Sequence, residues 1–331
     1  MAEVELSNLS KAFGATKAVS DVSMTIPDGA FVVLLGPTGA GKTTMLRLIA
    51  GLEKPDTGDV RISGASVLAD TPAQRDVAMV FQQYSLYPHM TVRDNLAFPL
   101  RSPVLNVPED EIARQIKAVA EVLHIDHKLD NKATQLSGGE MQRVSIGRAL
   151  VRNPRIYLMD EPLSSLDAKL RAELRVELKR IHAEMGATFL YVTHDQIEAM
   201  TMASHVGVLD QGRLVQFGTP REIYDNPVNL YVATRLGQPR INVLPATAFG
   251  NAPANATQIG LRPEHIATGD GQPATIRRVE HLGDQTRLHL DMGPHNLITL
   301  TEPHTTYTSG STIHIRPQNP LWFDASGTRV A

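Results

Sequence analysis

Cysteine is absent from this 331-residue chain. That excludes disulfides and thiolate metal sites, and it fits a reducing compartment. Long apolar runs are absent too: none approaches the roughly 18 residues that cross a bilayer. The first residues, Met1-Ala2-Glu3-Val4-Glu5, lack the basic and apolar regions of a signal peptide. Any membrane role is therefore expected to come through a partner. Excess charge is also missing. A net charge of −3 gives no electrostatic case for nucleic-acid binding. What remains is an ordinary globular composition, 42% hydrophobic and 20% charged, in a chain long enough for two domains.

The strongest positive signal is Gly36-Pro37-Thr38-Gly39-Ala40-Gly41-Lys42-Thr43. It satisfies the phosphate-binding pattern G-x-x-x-x-G-K-[ST] at every fixed position. The apolar run 31–35 before it reads as a buried strand, and 44–51 after it as a helix. In that context backbone N–H groups close around phosphate oxygens, and the helix N-terminus favours the anion. Lys42 reaches the terminal phosphates and the Thr43 hydroxyl can ligate Mg²⁺. A nucleotide triphosphate site follows.

Other segments carry weaker signals individually. Phe13 lies between two early strands and is either core or a platform for a base. The apolar strand 77–81 runs into Gln82, a strand-end amide that is either solvated or beside a phosphate. Residues 84–152 read as a mainly helical insertion. Thr91 caps one helix there, Pro108 with three following carboxylates opens another, and Ile112, Ile116, Val119 and Leu123 give it an apolar face. Leu136-Ser137-Gly138-Gly139-Glu140 precedes a further helix, so Ser137 is either a plain N-cap or part of a second anion-binding loop. The strand 156–160 ends in Asp160-Glu161. Buried carboxylates are costly unless paired or metal-bound; Asp160 is placed to hold Mg²⁺ and Glu161 to orient or deprotonate water. Asp167 leads into a helix over 168–185 that Gly186 ends. The strand 189–192 ends at His194, which either contacts a γ-phosphate or is incidental.

Beyond residue 236 Pro, Gly, Thr and His become frequent and helical patterns stop. Strand-like segments over 277–282, 286–291, 297–301 and 312–315 predict a small all-β second domain of barrel type over 237–331.

Taken together and in order, Gly36–Thr43, Gln82, Leu136–Gly139, Asp160-Glu161, Ser165-Leu166-Asp167 and His194 resemble the Walker A, Q-loop, signature, Walker B, D-loop and H-loop of ABC transporter ATPase subunits. The resemblance covers roughly residues 3–236. Tyr84–Val92 and Met159–Leu170 look more particularly like importer ATPases for sugars and related solutes. Gly260-Leu261-Arg262-Pro263-Glu264-His265 resembles the regulatory β domain (OB-like, TOBE-type) of the maltose and glycerol-phosphate importers. The implied fold is an α/β P-loop core with a helical insertion, followed by that β domain. The resemblance further implies that Glu161 is the base, with His194, Gln82 and Lys42 in the catalytic set. ATP contacts would come from Phe13, Gly36–Thr43 and Thr44, and, across a head-to-tail dimer, from Ser137, Gly138, Gly139 and Asp167. Thr43, Gln82 and Asp160 would hold Mg²⁺. Two permease subunits and, indirectly, a periplasmic or extracellular solute-binding protein are the implied partners, at the cytoplasmic face of a bacterial membrane. Two departures stand out: Glu140 replaces the usual Gln, and Phe13 replaces Tyr or Trp. Polyamine, iron or sulfate import is the alternative within transport; a soluble ABC ATPase outside transport is the distant one.

Overall fold

The computed structural model describes residues 2–102, 105, 107–250 and 252–330. They form two compact units, Met1–Pro220 and Arg221–Ala331.

The first unit opens with the antiparallel hairpin β1 (Val4–Phe13) and β2 (Thr16–Ile26), then β3 (Phe31–Leu35) and α1 (Lys42–Ala50). β4 (Thr57–Ile62) and the short β5 (Ala65–Ser66) join the hairpin in an antiparallel sheet ordered β2-β1-β4-β5. β6 (Val77–Val80) is followed by the helices α2 (Val92–Ala97), α3 (Glu109–Val122) and α4 (Gly138–Leu150). β7 (Ile156–Asp160), α5 (Ala168–Met185), β8 (Thr188–Thr193), α6 (Gln196–Met202), β9 (His205–Asp210) and β10 (Arg213–Gly218) complete it. The helical insertion expected from the sequence therefore lies between β6 and β7.

Its central sheet is ordered β10-β9-β3-β8-β7-β6, parallel except for the β9–β10 pair. Every residue of β3, β7 and β8 is buried. Strands covered on both faces need side chains apolar on both, which is why these segments read as continuous apolar runs. Register then decides where the site sits. Leu35 pairs with Thr193, Asp160 with Val192, and Val80 with Met159. The carboxyl ends of four parallel strands thus finish level, and the residues that follow each strand meet at one edge. α1 packs beneath that edge through Met45, Leu46, Leu48 and Ile49, all fully buried, each worth roughly 1.5–3 kcal/mol of apolar transfer.

The second unit contains α7 (Pro220–Asp225) and α8 (Leu230–Arg235), then strands β11 (Asn242–Pro245), β12 (Gln258–Leu261), β13 (Ile266–His281), β14 (Thr286–Met292), β15 (His295–Thr301), β16 (Thr312–Pro317), β17 (Leu321–Phe323) and β18 (Arg329–Val330). They form two four-stranded antiparallel sheets, β11-β12-β17-β18 and β15-β14-β13-β16. The sequence anticipates the second sheet but not the first, whose strands are four residues or shorter. β13 reaches back to Ile266 through Gly269 and Gly271, where its pairing with β16 shifts register; those glycines hide the strand from a reading of periodicity. The composition change at residue 236 and the division of contacts at 220 bracket α7 and α8. Within the second unit Arg262, 2% exposed, donates to the carbonyls of Ala233, Leu236 and Tyr224 and lies 3.8 Å from the Tyr224 ring centroid. It ties both helices to the β strands.

Candidate active site

The loop between β3 and α1 wraps back over its own lysine. Lys42 Nζ donates to the carbonyls of Gly36 (2.9 Å) and Pro37 (3.0 Å) and lies 3.4 Å from Glu161 Oε1. Gly41 caps the helix at φ 97°, and a Cβ there would sit 2.2 Å from the Ala18 carbonyl oxygen. Only glycine supports both that dihedral and that approach. Thr43 Oγ1 donates to Asp160 Oδ1 at 2.9 Å.

Asp160 is the last residue of β7 and is 6% exposed. Burial pushes its carboxyl above the ordinary range, and the neighbouring Glu161 charge adds to that; the Thr43 hydroxyl, Arg47 and Lys42 oppose it. Glu161 then leaves the strand at φ 44° while its N–H still donates to Val192 O at 3.1 Å. A left-handed non-glycine residue costs roughly 1–2 kcal/mol. The turn brings Glu161 Oε1 toward Lys42 and Oε2 to within 3.1 Å of His194 Nδ1. His194, which follows β8, is exposed; Glu161 is largely shielded.

A cavity of about 370 Å³ opens over this cluster, lined by Thr38, Gly39, Gly41, Lys42, Thr43, Thr44, Gln82 and Glu161 together with Thr16 and Ala18 of β2. Gln82, which the sequence left as either solvated or beside a phosphate, is one of those walls. Asp160 and His194 stand one bond behind it, on Thr43 and Glu161. Phe13 is exposed and pairs with Thr16 across the hairpin, with Lys11 Nζ 5.4 Å from its ring centroid. Thr16 and Ala18 were not legible as site residues. Their β2 positions carry no motif, and only the hairpin's fold-back over the loop brings them there.

Ser137, Gly138, Gly139 and Asp167 line no part of that cavity. Ser137 caps α4: its N–H and hydroxyl both donate to Glu140 Oε2, at 2.8 and 2.9 Å, and its Oγ accepts from Glu140 N. Glu140 Oε1 also lies 3.1 Å from Lys128 Nζ. The Ser137 backbone N–H, then its hydroxyl and Lys128, hold the Glu140 carboxyl below the ordinary range. A Cβ on Gly139 would meet Leu170 Cδ2 at 2.2 Å, so the start of α4 packs tightly on α5. Asp167 caps α5 by accepting from Leu170 N at 3.0 Å. Ser137 and Asp167, the caps of α4 and α5, are exposed, whereas Gly139 is buried against Leu170.

No helix among the described residues is long and apolar enough to cross a membrane. Among the same residues no cluster of three or more His, Cys, Asp or Glu side chains is suited to a metal ion.

Residues 19–164 match the ABC transporter family and residues 259–330 the TOBE domain. The sn-glycerol-3-phosphate import ATP-binding protein of Ruegeria pomeroyi is 46% identical over 305 residues, spanning 87% of this chain and 86% of that protein. The lactose transport ATP-binding protein of Rhizobium radiobacter is 40% identical over the whole of both chains. Among solved structures, a dimeric bacterial ABC transporter cassette superposes with TM-score 0.60 at 30% identity, over 66% of this chain and 99% of that one. The ADP conformation of another cassette gives TM-score 0.62 at 28% identity, over 70% and 98%.

Proposed function

The chain belongs to the ABC transporter family as one of its ATP-binding ATPases, and from that premise we propose that it powers uptake of a sugar, sugar derivative, polyol or glycerol-phosphate-like solute through partner permeases. The solute class rests on the relatives named for glycerol-3-phosphate and lactose import. The single observation that carries the mechanism is the Lys42–Glu161–His194 chain at the mouth of a cavity walled by the phosphate-binding loop.

Lys42 binds the terminal phosphates, with the loop N–H groups of 38–44 around them. Glu161 accepts a proton from water as its oxygen bonds to the γ-phosphorus and the bridging bond to ADP breaks. His194 holds Glu161 from the outer side and reaches the γ-phosphate; Gln82 orients the water. Phe13 and Thr16 border the base end of the nucleotide. Thr43 and Asp160, with Gln82, offer the hard oxygen donors that suit magnesium, and the buried Asp160 carboxyl gains from a cation beside it. Bound there, magnesium would neutralise phosphate charge.

The face formed by Ser137, Gly138, Gly139 and Asp167 serves the partner copy. A helix N-terminus whose loop, Ser137–Gly139, carries no lysine and whose nearby Lys128 is paired with Glu140 is suited to closing over a phosphate held elsewhere, and a head-to-tail dimer supplies it with one. In the same reading residues up to about 236 form the nucleotide-binding domain and those beyond it a regulatory domain. The permease docks on the helical insertion. A groove of about 610 Å³ lined by His89, Met90, Asp94, Phe98, Pro99, Arg101 and Ser102 adjoins a smaller one containing Phe81 and Tyr84; the exposed Phe98 borders both and the exposed Phe81 the smaller. An exposed concave apolar surface of this kind marks a protein contact. The complex works at the cytoplasmic face of a bacterial membrane, fed from outside by a solute-binding protein.

Glu161→Gln tests the reading. It should bind ATP with near wild-type affinity, accumulate as an ATP-bound dimer in size-exclusion chromatography, and lose at least about a hundredfold in turnover. Wild-type turnover in that variant removes Glu161 from the role of base. Uptake assays of reconstituted complexes across the named solutes test the substrate class.

A further inference from the structure

His194 poses a positioning problem. Its side chain is 57% exposed, so packing does little to select its rotamer, yet it sits within hydrogen-bonding distance of Glu161. Something must hold the backbone on either side of it.

Arg171, on the first turns of α5, is aimed at the two segments that flank the catalytic pair. Its Nε donates to Leu163 O (3.3 Å), and its Nη2 to Ser164 O (3.4 Å) and Leu166 O (2.8 Å). That turn starts directly from Glu161, whose carbonyl accepts from both the N–H and the hydroxyl of Ser164. The remaining nitrogen, Nη1, lies 3.7 Å from Asp195 Oδ2. Asp195 is the residue after His194. Its Oδ1 accepts from Ile197 N at 2.7 Å and so caps α6, and its own N–H donates to Thr193 Oγ1 at 3.0 Å. The two carboxylate oxygens are thus divided, one to the helix and one to Arg171. Both members of the pair are mostly shielded from water, with side chains 31% and 20% exposed, which preserves their attraction better than a surface pair would.

We infer that Arg171 is a positioning residue that sets His194 against Glu161, by bridging the 163–166 turn to Asp195. The guanidinium suits this task because its planar fork serves carbonyls on one side and a carboxylate on the other at once; a lysine ammonium cannot span both. Arg171 touches no phosphate-binding residue, so its effect falls on the chemical step. The inference rests on the reading of Glu161 as the base.

The test uses the full-length chain, with ATP turnover and equilibrium binding of a fluorescent ATP analogue measured separately. Arg171→Met should lower kcat about ten- to hundredfold, the scale of a small misplacement of catalytic groups, while analogue affinity stays within twofold. Arg171→Lys, which keeps charge and bulk, should lower kcat at least threefold. Asp195→Asn keeps the α6 cap but loses the ion pair; it should lower kcat, and combining it with Arg171→Met should add less than twofold. A wild-type kcat in Arg171→Met or in Arg171→Lys, an affinity loss as large as the kcat loss, or full additivity with Asp195→Asn overturns the inference. Glu161→Gln run alongside separates the two failures. If it retains turnover, the base assignment is wrong; if it loses turnover while Arg171→Met does not, only the role of Arg171 is wrong.

Discussion

The two units use β structure in opposite ways. In the first, β3, β7 and β8 are buried along their whole length. In the second, β14 alternates strictly: Thr286, Leu288, Leu290 and Met292 face inward while Arg287, His289 and Asp291 lie between them on the outer face. A parallel strand covered on both sides can show polar chemistry only where it ends, so the first unit concentrates Lys42, Gln82, Glu161 and His194 at a single edge. An antiparallel strand with one wet face spreads its charges along its length, as Arg287 and Glu280 do at 3.1 Å across β13 and β14. Such a face pairs charges locally and stabilises little. The difference teaches why the candidate site is gathered at strand ends of the first unit, whereas the charges of the second unit pair along its strands.

Three substitutions sharpen or break that contrast. The largest effect is expected at the strand-end edge. Asp160→Asn should lower magnesium-dependent turnover by about a hundredfold or more, yet raise the thermal midpoint measured without nucleotide by about 2 °C or more. The sign follows from burial. The folded chain holds this carboxyl's pKa above its unfolded value, so the charged form is a liability above the folded pKa. The liability vanishes below about pH 3.9, where both states are protonated. The variant's advantage should therefore shrink on acidification. A lower midpoint at neutral pH contradicts the assigned cost of burying Asp160.

Next is Arg262→Met in the second unit. It leaves the carbonyls of Ala233, Leu236 and Tyr224 without their buried donor and should cost about 3 kcal/mol in denaturant unfolding of that unit. Basal ATP turnover should stay within twofold. An equal loss of turnover would mean that the second unit is not energetically separable from the catalytic edge.

The smallest effect is at Glu140. Replacing it with Gln keeps the cap geometry but removes the charge that meets Lys128, costing about 0.5–1 kcal/mol of stability. The Glu140 pKa is lowered on folding, so its contribution is fully present above the ordinary glutamate value of about 4.3 and disappears as the pH falls through the lower folded value. Chemical denaturation of both forms across pH 3–7 checks this; a difference independent of pH assigns the effect to shape instead.

Much of the candidate site was legible because its motifs are local. Gly36–Thr43 must be contiguous, since one loop supplies every N–H and the lysine. Asp160-Glu161 announces itself as a polar pair at the end of an apolar run, His194 gained meaning only from its place in the ordered set of motifs, and Thr91, Pro108 and Gly186 fall where they punctuate the helices. The rest was not legible because it depends on pairing across long sequence distances. Thr16 and Ala18 reach the cavity only because the β1–β2 hairpin folds over Gly41. Arg171 reads as one more cation on an amphipathic helix until its guanidinium is found on three carbonyls. Arg262 sits in a recognisable motif, yet its burial between α7, α8 and the β strands has no periodic signature. The sheet β11-β12-β17-β18 escapes because strands of two to four residues fix no pattern by themselves.

The sequence by itself determined the chemistry: a phosphate-binding loop, a strand ending in two carboxylates, a strand followed by histidine, and a second glycine-bearing helix start. These follow from residue type and short spacing, which physical chemistry constrains directly. Only the tertiary structure decided the grouping. Parallel register levels the ends of β3, β6, β7 and β8, so Lys42, Gln82, Glu161 and His194 meet. Ser137–Gly139 stay outside that cavity, at the start of an α4 held against α5 through Gly139 and Leu170. A chain can encode each group in a few neighbouring residues, but which groups share a cavity is settled by hydrogen-bond register and core packing between segments far apart.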